Sequence, residues 1–429
     1  AAFEQLRAEG YIDGRVGAGS FIPRNLPDEA PPRRRQGPTD QGPAGRGTAA
    51  PRRISARGAM LVGLRHRGSR PRPFSPGLPE LEQFPFRDWA RLLARRWRKP
   101  HRAFLVGGEP GGYRPLCEAI ADYLAMARAV FCRSDQVIVT SGAQQALDLA
   151  ARVLIDPGDP VWMEEPGYPP TGAVLRAAGA RVVPVPVDDE GLSVLAGRGV
   201  EPAPRLICVS PSHQYPLGVT MSLGRRLELL ECARAIDGMV IEDDYDSEYR
   251  YTGRPLAALQ GLDGDGRVIY LGTMSKVMFP GLRIGYMVVP EHLVDAFLAV
   301  RAMVDVHPSS IAQAALADFI TEGFLGAHIR RMRQLYAERQ AALIDAFRAR
   351  FGERLALAPA AAGMHLVARL AAGSDDRRVA RRAAEAGVEA PALSHYYQGP
   401  PAAQGLLLGY AGVNQRATER AADRLAEVF

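Results

Sequence analysis

The stretch "YLGTMSKVMFPGLRIGY", residues 270–286, opens as a buried-strand pattern, turns polar at Thr273 and Ser275, and places a lysine at 276. The chain has 53 basic residues, yet only Lys99 and Lys276 are lysines and every other one is arginine. Arginine stays protonated and cannot form an imine, whereas a lysine amine with a lowered pKa can. A lysine kept at a strand end, in a chain that otherwise writes arginine, directs attention to the strand ends around it.

From about residue 74 onward, apolar strand-like runs alternate with amphipathic helical stretches, which predicts an α/β fold with a mostly parallel central sheet covered by helices on both faces. "QVIVT" reads as a short buried strand, "SGAQQALDLAARVL" as the helix after it, and "GDPVWMEEPGYPP" as a strand entering a loop. "RLICVS", "GMVIEDDY" and "RVIYLGTMS" are three more strands that end in polar residues. A long amphipathic helix, "HIRRMRQLYAERQAALIDAFRARF", leads into a smaller C-terminal α+β unit. In open α/β sheets ligands lie outside the carboxyl ends of the strands, so these polar ends are the place to look for a site.

A Schiff-base cofactor such as pyridoxal phosphate needs an amine, an acid facing its pyridine nitrogen, a hydroxyl near its ring oxygen, an aromatic over the ring and an anion cradle. The strand ends offer all five. Asp243 in "IEDDYDSEYR" supplies the acid, which would keep the pyridine protonated, and Tyr245 supplies the hydroxyl. Tyr168 in "EEPGYPP" is the aromatic. The amides of Gly142, Ala143 and Gln144 open a helix and form an anion site, which Arg283, Thr273 and Ser275 close with charge-assisted hydrogen bonds. Singly, each piece has an ordinary reading: "SGA" as a turn and N-cap, Asp243 as an exposed strand-end acid, Tyr168 as a core or surface aromatic. Their occurrence at successive strand ends, with Lys276 following the acid, favours the cofactor.

The rest of the composition narrows the class. With 429 residues, 47% hydrophobic and 23% charged, the chain can bury at least one large core. No long apolar run or signal-peptide pattern occurs, so a cytoplasmic protein with no membrane association is expected. Cys117, Cys132, Cys208 and Cys232 are scattered without metal-ligand spacing, so free thiols and no metal are expected. The net charge of +6 is concentrated in residues 24–73, where twelve arginines face only Asp28, Glu29 and Asp40. That segment is rich in Pro, Gly and Arg and reads as a basic linker, either a solvated tether or an arm for DNA phosphates. Before it, residues 1–23 begin without methionine in what reads as mid-helix and continue as a hairpin around "GRVGAG". This piece resembles the end of a GntR-type winged helix-turn-helix, its last helix and wing, and implies that earlier residues are missing.

The motif "SKVMFPGLRIGY" resembles the cofactor-lysine motif of fold-type I aminotransferases. "GYRPLCEAIADYLAMARAV", "VTSGAQQALDLA", "SPSHQYPLGVTMS" and "IEDDYDSEYRY" are similar to one branch, the MocR-type regulators, which join a GntR winged helix to an aminotransferase-like domain. The resemblance covers essentially the whole chain. It implies a pyridoxal phosphate domain at 74–429, with a large part at about 100–320 and a small part at about 321–429. It implies a Schiff base at Lys276, Asp243 at the pyridine nitrogen, Tyr245 at the ring oxygen, Tyr168 stacked, and Ser141, Gly142, Ala143, Gln144, Ser275 and Arg283 on the phosphate. The function implied is a homodimeric transcriptional regulator that binds a DNA operator through its complete winged helix and senses pyridoxal phosphate or an amino acid. The alternative is a working aminotransferase, and a decarboxylase or lyase is a third possibility.

Three departures bear on that choice. Aminotransferases commonly carry N-P-x-G where this chain has Tyr215, Pro216, Leu217 and Gly218. Leu407 in "GLLLGYAGV" stands where they carry an arginine that clamps the substrate carboxylate. Gly107 stands where relatives often have a tyrosine that reaches the partner subunit. An apolar side chain cannot pair a carboxylate, so Leu407 disfavours efficient transamination.

Overall fold

The computed structural model describes residues 2–15, 19–22, 54–63, 71–98, 100, 102–105, 108–253, 256–355 and 357–429. Two compact units are present, Ala1–Ser55 and Ala56–Phe429. In the first, the helix Ala2–Ala8 stops at Gly10, whose φ of 75° is the left-handed stop expected there. Strand β1 (Asp13–Arg15) then pairs antiparallel with β2 (Gly19–Phe21), as the hairpin reading predicts. The tip of that turn, 16–18, lies outside the described residues, as do Lys99, Gly107 and most of the basic segment.

Part of the expected linker is structured. Ala56–Gly63 is a helix. Arg72 donates to the Ala384 carbonyl at 2.8 Å, and the Glu389 N–H donates to the Pro73 carbonyl at 2.9 Å. The end of the segment expected as linker is therefore already tied to the C-terminal part. A composition averaged over fifty residues hid these short ordered pieces.

The strands of the second unit are β3 (Val137–Thr140), β4 (Pro160–Glu165), β5 (Arg181–Asp188), β6 (Gly191–Leu192), β7 (Leu206–Val209), β8 (Met239–Asp244), β9 (Val268–Thr273), β10 (Gly285–Val288), β11 (His365–Arg369) and β12 (Gly405–Gly409). Eight form one sheet in the order β3-β10-β9-β8-β7-β4-β5-β6. β5, β4, β7, β8 and β9 run parallel, while β10 is antiparallel to both its neighbours. The exception follows from the chain: the link 274–284 is too short for a right-handed crossover, so the strand after Lys276 must return antiparallel. This is the mostly parallel α/β sheet that the alternating apolar runs predict.

Both faces of the sheet are buried, and period 2 assigns its residues. Leu206 and Cys208 of β7, with Ile241 of β8, pack beneath Leu147 and Leu154 of the helix Ala143–Leu154. Ile207, Val209 and Val240 face the opposite cluster around Trp162 and Leu229. Asp243 therefore leaves the sheet on the Ile241 face, where the apolar layer ends. The C-terminal part holds β11 and β12 as an antiparallel pair against the helix Phe324–Phe351. Residues 71–84 form a strap bound to this part: the Gly409 N–H donates to the Phe74 carbonyl at 2.9 Å, the Glu80 N–H to the Tyr336 hydroxyl at 2.8 Å, and Glu80 pairs with buried Arg339. All four cysteines are free, as expected. Among the described residues no helix is long and apolar enough to cross a membrane.

Candidate functional site

β9 ends at Thr273, whose hydroxyl accepts the Ser275 N–H at 3.2 Å and so caps the one-turn helix Met274–Val277. Met274 and Val277 anchor that turn in the core. Lys276 extends the other way, and its Nζ donates to the Gly77 carbonyl of the strap at 2.8 Å. Burial pushes its amine below the ordinary lysine range, opposed by the negative charges of Asp246 and Asp243. A lowered pKa is what a nucleophilic amine requires.

The Asp243 carboxylate has no hydrogen-bond partner among the described residues. Burial and then the neighbouring Asp244 push its carboxyl up to about 7, with Lys276 pulling the other way. It lines a cleft with Tyr168, Ser210 and Cys208. Glu164, on the same cleft, is pushed up to about 8, chiefly by burial. Two acids thus share one pocket floor, and of the two carboxylates only that of Asp243 lacks a hydrogen bond among the described residues, since Glu164 accepts from the Ser210 N–H and from Gln214.

Two glycines bring the loops 141–144 and 283–285 together. Gly285 of β10 pairs with Thr140, and a Cβ on it would lie 2.8 Å from the Gly142 Cα, so the loops 141–144 and 283–285 touch only because side chains are absent. Gly142, at φ 116°, precedes the helix Ala143–Leu154, whose first N–H groups have no intrahelical acceptor. A Cβ at Gly142 would lie 3.2 Å from a guanidinium nitrogen of Arg283, and Arg283 makes no ion pair or hydrogen bond among the described residues. The Ser275 hydroxyl and the Gln144 side-chain amide nitrogen are buried without protein partners. The Ser141 N–H is already committed to the Gln145 side chain at 2.6 Å, which leaves only its hydroxyl for an anion. Buried orphan donors, an unpaired guanidinium and an open helix N-terminus fit a phosphate ester, and an unpaired acid with a depressed lysine fits a pyridine aldehyde. The residues present suit pyridoxal phosphate.

Tyr168 caps the helix Pro169–Ala178 and stands edge-on to Tyr215, ring centroids 5.4 Å apart. Tyr245 is at the site, and its hydroxyl contacts His213 Nδ1 at 3.0 Å. Sequence reasoning missed the group behind it. His213 Nδ1 also lies 3.1 Å from both carboxylate oxygens of Asp246, and the His213 and His365 rings are 5.0 Å apart. His365 Nε2 bonds the Pro216 carbonyl at 3.0 Å, and burial pushes its pKa down to about 3. The Tyr215 and Tyr396 hydroxyls are 3.2 Å apart. A histidine and an acid at two strand-end loops was the only sequence signal for this group. His213, Asp246 and His365 bring ligand-type atoms within 4.8 Å of one another. The unbonded His213 Nε2, however, abuts the backbones of Gly363 and Gly218, so the cluster is packed as a hydrogen-bonded group rather than open for a cation.

Residues 77–425 match the family model of aminotransferase class I and II. The probable rhizopine catabolism regulatory protein MocR of Rhizobium meliloti is 42% identical over 429 residues, covering 100% of this chain and 85% of that protein. The HTH-type pyridoxine biosynthesis transcriptional regulator PdxR of Corynebacterium glutamicum is 33% identical over 78% of this chain and 71% of its own. Among solved structures, the kynurenine aminotransferase of Pyrococcus horikoshii, in complex with PMP, superposes with a TM-score of 0.77 at 30% identity, covering 88% of this chain and 95% of that one. The chain belongs to the class I and II aminotransferase family and, within it, to the MocR-type regulators.

Proposed function

We propose that this protein is a pyridoxal phosphate-binding transcriptional regulator, in which occupancy of the Lys276 site alters DNA binding by the N-terminal unit. The observation that carries the cofactor reading is the set of unsatisfied groups: Asp243, Arg283 and the Ser275 hydroxyl, gathered around an amine with a lowered pKa. The regulatory reading rests on the MocR relationship and on the helix and hairpin ahead of a segment rich in arginine.

When bound, pyridoxal phosphate supplies an aldehyde that reacts with amines and a pyridine ring that withdraws electrons. The residues of this chain divide the remaining work. Arg283, Ser275 and the amides of Ala143 and Gln144 orient the phosphate. Asp243 holds a proton at the ring nitrogen. The Tyr245 hydroxyl donates at the ring oxygen, and Tyr168 covers a ring face and excludes water. Lys276 presents its amine, whose pKa burial lowers. A homodimer is part of this reading, and the ligand can act only through different affinities for two states of the protein.

Transamination is the second reading, favoured by the intact lysine, acid and phosphate groups. Leu407 counts against it, because it leaves the position of the carboxylate clamp apolar. The test uses the full protein and its operator DNA. Cofactor addition should produce visible absorption that Lys276→Ala abolishes, together with a cofactor-dependent change in DNA affinity. An unchanged spectrum in the wild type would defeat the cofactor assignment, and unchanged DNA affinity would defeat the regulatory one.

A further inference from the structure

We infer that His213, held by Asp246, is a positioning residue for Tyr245: its Nδ1–H donates to the phenol oxygen, so that the Tyr245 hydrogen is left to donate into the cleft. This rests on the cofactor reading above and deepens it, by assigning what directs the hydroxyl at the ring oxygen.

The buried acid fixes the histidine tautomer. Asp246 is 1% exposed, and the one donor that reaches its carboxylate among the described residues is His213 Nδ1, 3.1 Å from each oxygen. Without a hydrogen on Nδ1, a nitrogen lone pair would face that carboxylate, and a buried charge would have no donor at all. The other ring nitrogen agrees. Nε2 is buried with no partner among the described residues, and it abuts Gly363 and Gly218, so a hydrogen placed there would meet backbone and no acceptor. The partners of the two nitrogens thus place the hydrogen on Nδ1.

The same Nδ1 lies 3.0 Å from the Tyr245 hydroxyl, which makes no other hydrogen bond among the described residues. With Nδ1 the donor, the phenol oxygen accepts, and its own hydrogen has no protein acceptor. The phenol keeps that hydrogen. Burial, followed by Asp246, Tyr215, Asp243 and Glu164, holds its pKa well above the ordinary phenol value. Accepting on one side polarises the O–H and strengthens the bond it donates on the other. No neighbour duplicates this donor: the asparagine common in aminotransferases is replaced by Tyr215, whose hydroxyl pairs with that of Tyr396 at 3.2 Å.

The experiment has two parts. In cofactor-free whole protein, nitrogen NMR of the imidazoles reads the tautomer, with the His213 signals assigned by their loss in His213→Asn. A hydrogen on Nδ1 is expected, and a hydrogen on Nε2 alone would overturn the inference. In cofactor-loaded protein, the absorption of the bound cofactor is then titrated with pH. An O–H donated to the ring oxygen favours its anionic form, so losing the directed donor should move the spectral midpoint up by roughly half to one pH unit, the worth of one neutral hydrogen bond. His213→Leu should show that shift, Tyr245→Phe the same, and the double variant no more than either alone. His213→Asn should restore the wild-type midpoint, because its amide nitrogen, like Nδ1, is bonded to Cγ and carries a hydrogen to the same place. A wild-type midpoint in His213→Leu, or an asparagine variant displaced as far as the leucine one, would assign His213 to packing and overturn the inference. Should the leucine variant fail to fold, the wild-type tautomer and the asparagine midpoint still decide. Absence of cofactor absorption in the wild type would instead defeat the cofactor reading, and the tautomer, measured without cofactor, tells the two failures apart.

Discussion

Lys276 Nζ donates to the Gly77 carbonyl at 2.8 Å, and Gly77 adopts φ 68° with its α-carbon so close that an added Cβ would lie 2.5 Å from the amine. The strap therefore crosses Lys276 at the one residue type that permits both the backbone conformation and the approach.

Gly77→Ala tests this crossing. The left-handed backbone should cost roughly 1 kcal/mol with a Cβ present, and the methyl must displace the flexible lysine tip rather than backbone. We expect a modest fall in melting temperature and slower cofactor attachment, read from the rise of visible absorption after mixing. Wild-type attachment kinetics in the variant would show that the strap contact is incidental.

A change at Arg283 tests the proposed phosphate contact apart from ring recognition. Its guanidinium is otherwise unpaired and stands beside Gly142. Arg283→Gln should weaken pyridoxal phosphate binding by about 10- to 100-fold, the worth of a charge-assisted hydrogen bond. Affinity for pyridoxal, which lacks the phosphate, should be unchanged. Equal losses for both ligands would place Arg283 outside the cradle.

The parts of this site legible in the sequence are those that strand periodicity places. Lys276, Asp243 and the 141–144 turn all sit at carboxyl ends of sheet strands, where the apolar pattern breaks. The strands β3, β4, β7, β8 and β9 were readable because both faces are buried and their apolar runs are continuous. The antiparallel return of β10 was not, since it depends on link length rather than pattern. His213, Asp246, His365 and Tyr396 come from loops and from the small sheet, far apart in the chain. What joins them is tertiary contact, such as the seating of His213 against Gly218 and Gly363, which no local pattern encodes. Leu407 was informative in the sequence only as a substitution; the register with Val367 gave it a face.

Asp243 makes stability depend on pH. Its carboxyl is raised to about 7 in the folded protein from the ordinary value of 3.8, so the unfolded chain loses this proton first. The stability that this group contributes is full below about pH 4 and is lost as pH rises through about 7. In cofactor-free protein, Asp243→Asn removes that loss. The variant should be more stable than wild type at pH 8 by roughly 1–2 kcal/mol, allowing for partial solvent exposure, and the gap should close by pH 4. It should also bind pyridoxal phosphate more weakly at pH 8. A pH-independent gap in melting temperature would contradict the assigned titration.

Asp246 acts on the lysine from the other side. It heads the influences that raise the Lys276 pKa against burial, ahead of Asp243, while its carboxylate also holds His213 at 3.1 Å. Removing this charge leaves burial less opposed, so the Lys276 pKa falls further and the neutral amine fraction near pH 7 grows. In cofactor-free protein Asp246→Asn should therefore speed the reaction of Lys276 with a small aldehyde severalfold near pH 7. The difference should vanish at high pH, where both amines are neutral. Asparagine keeps a hydrogen-bond acceptor for His213, so a loss of packing alone would leave the pH profile where it was. A rate advantage that persists undiminished at high pH would assign Asp246 to access rather than to charge.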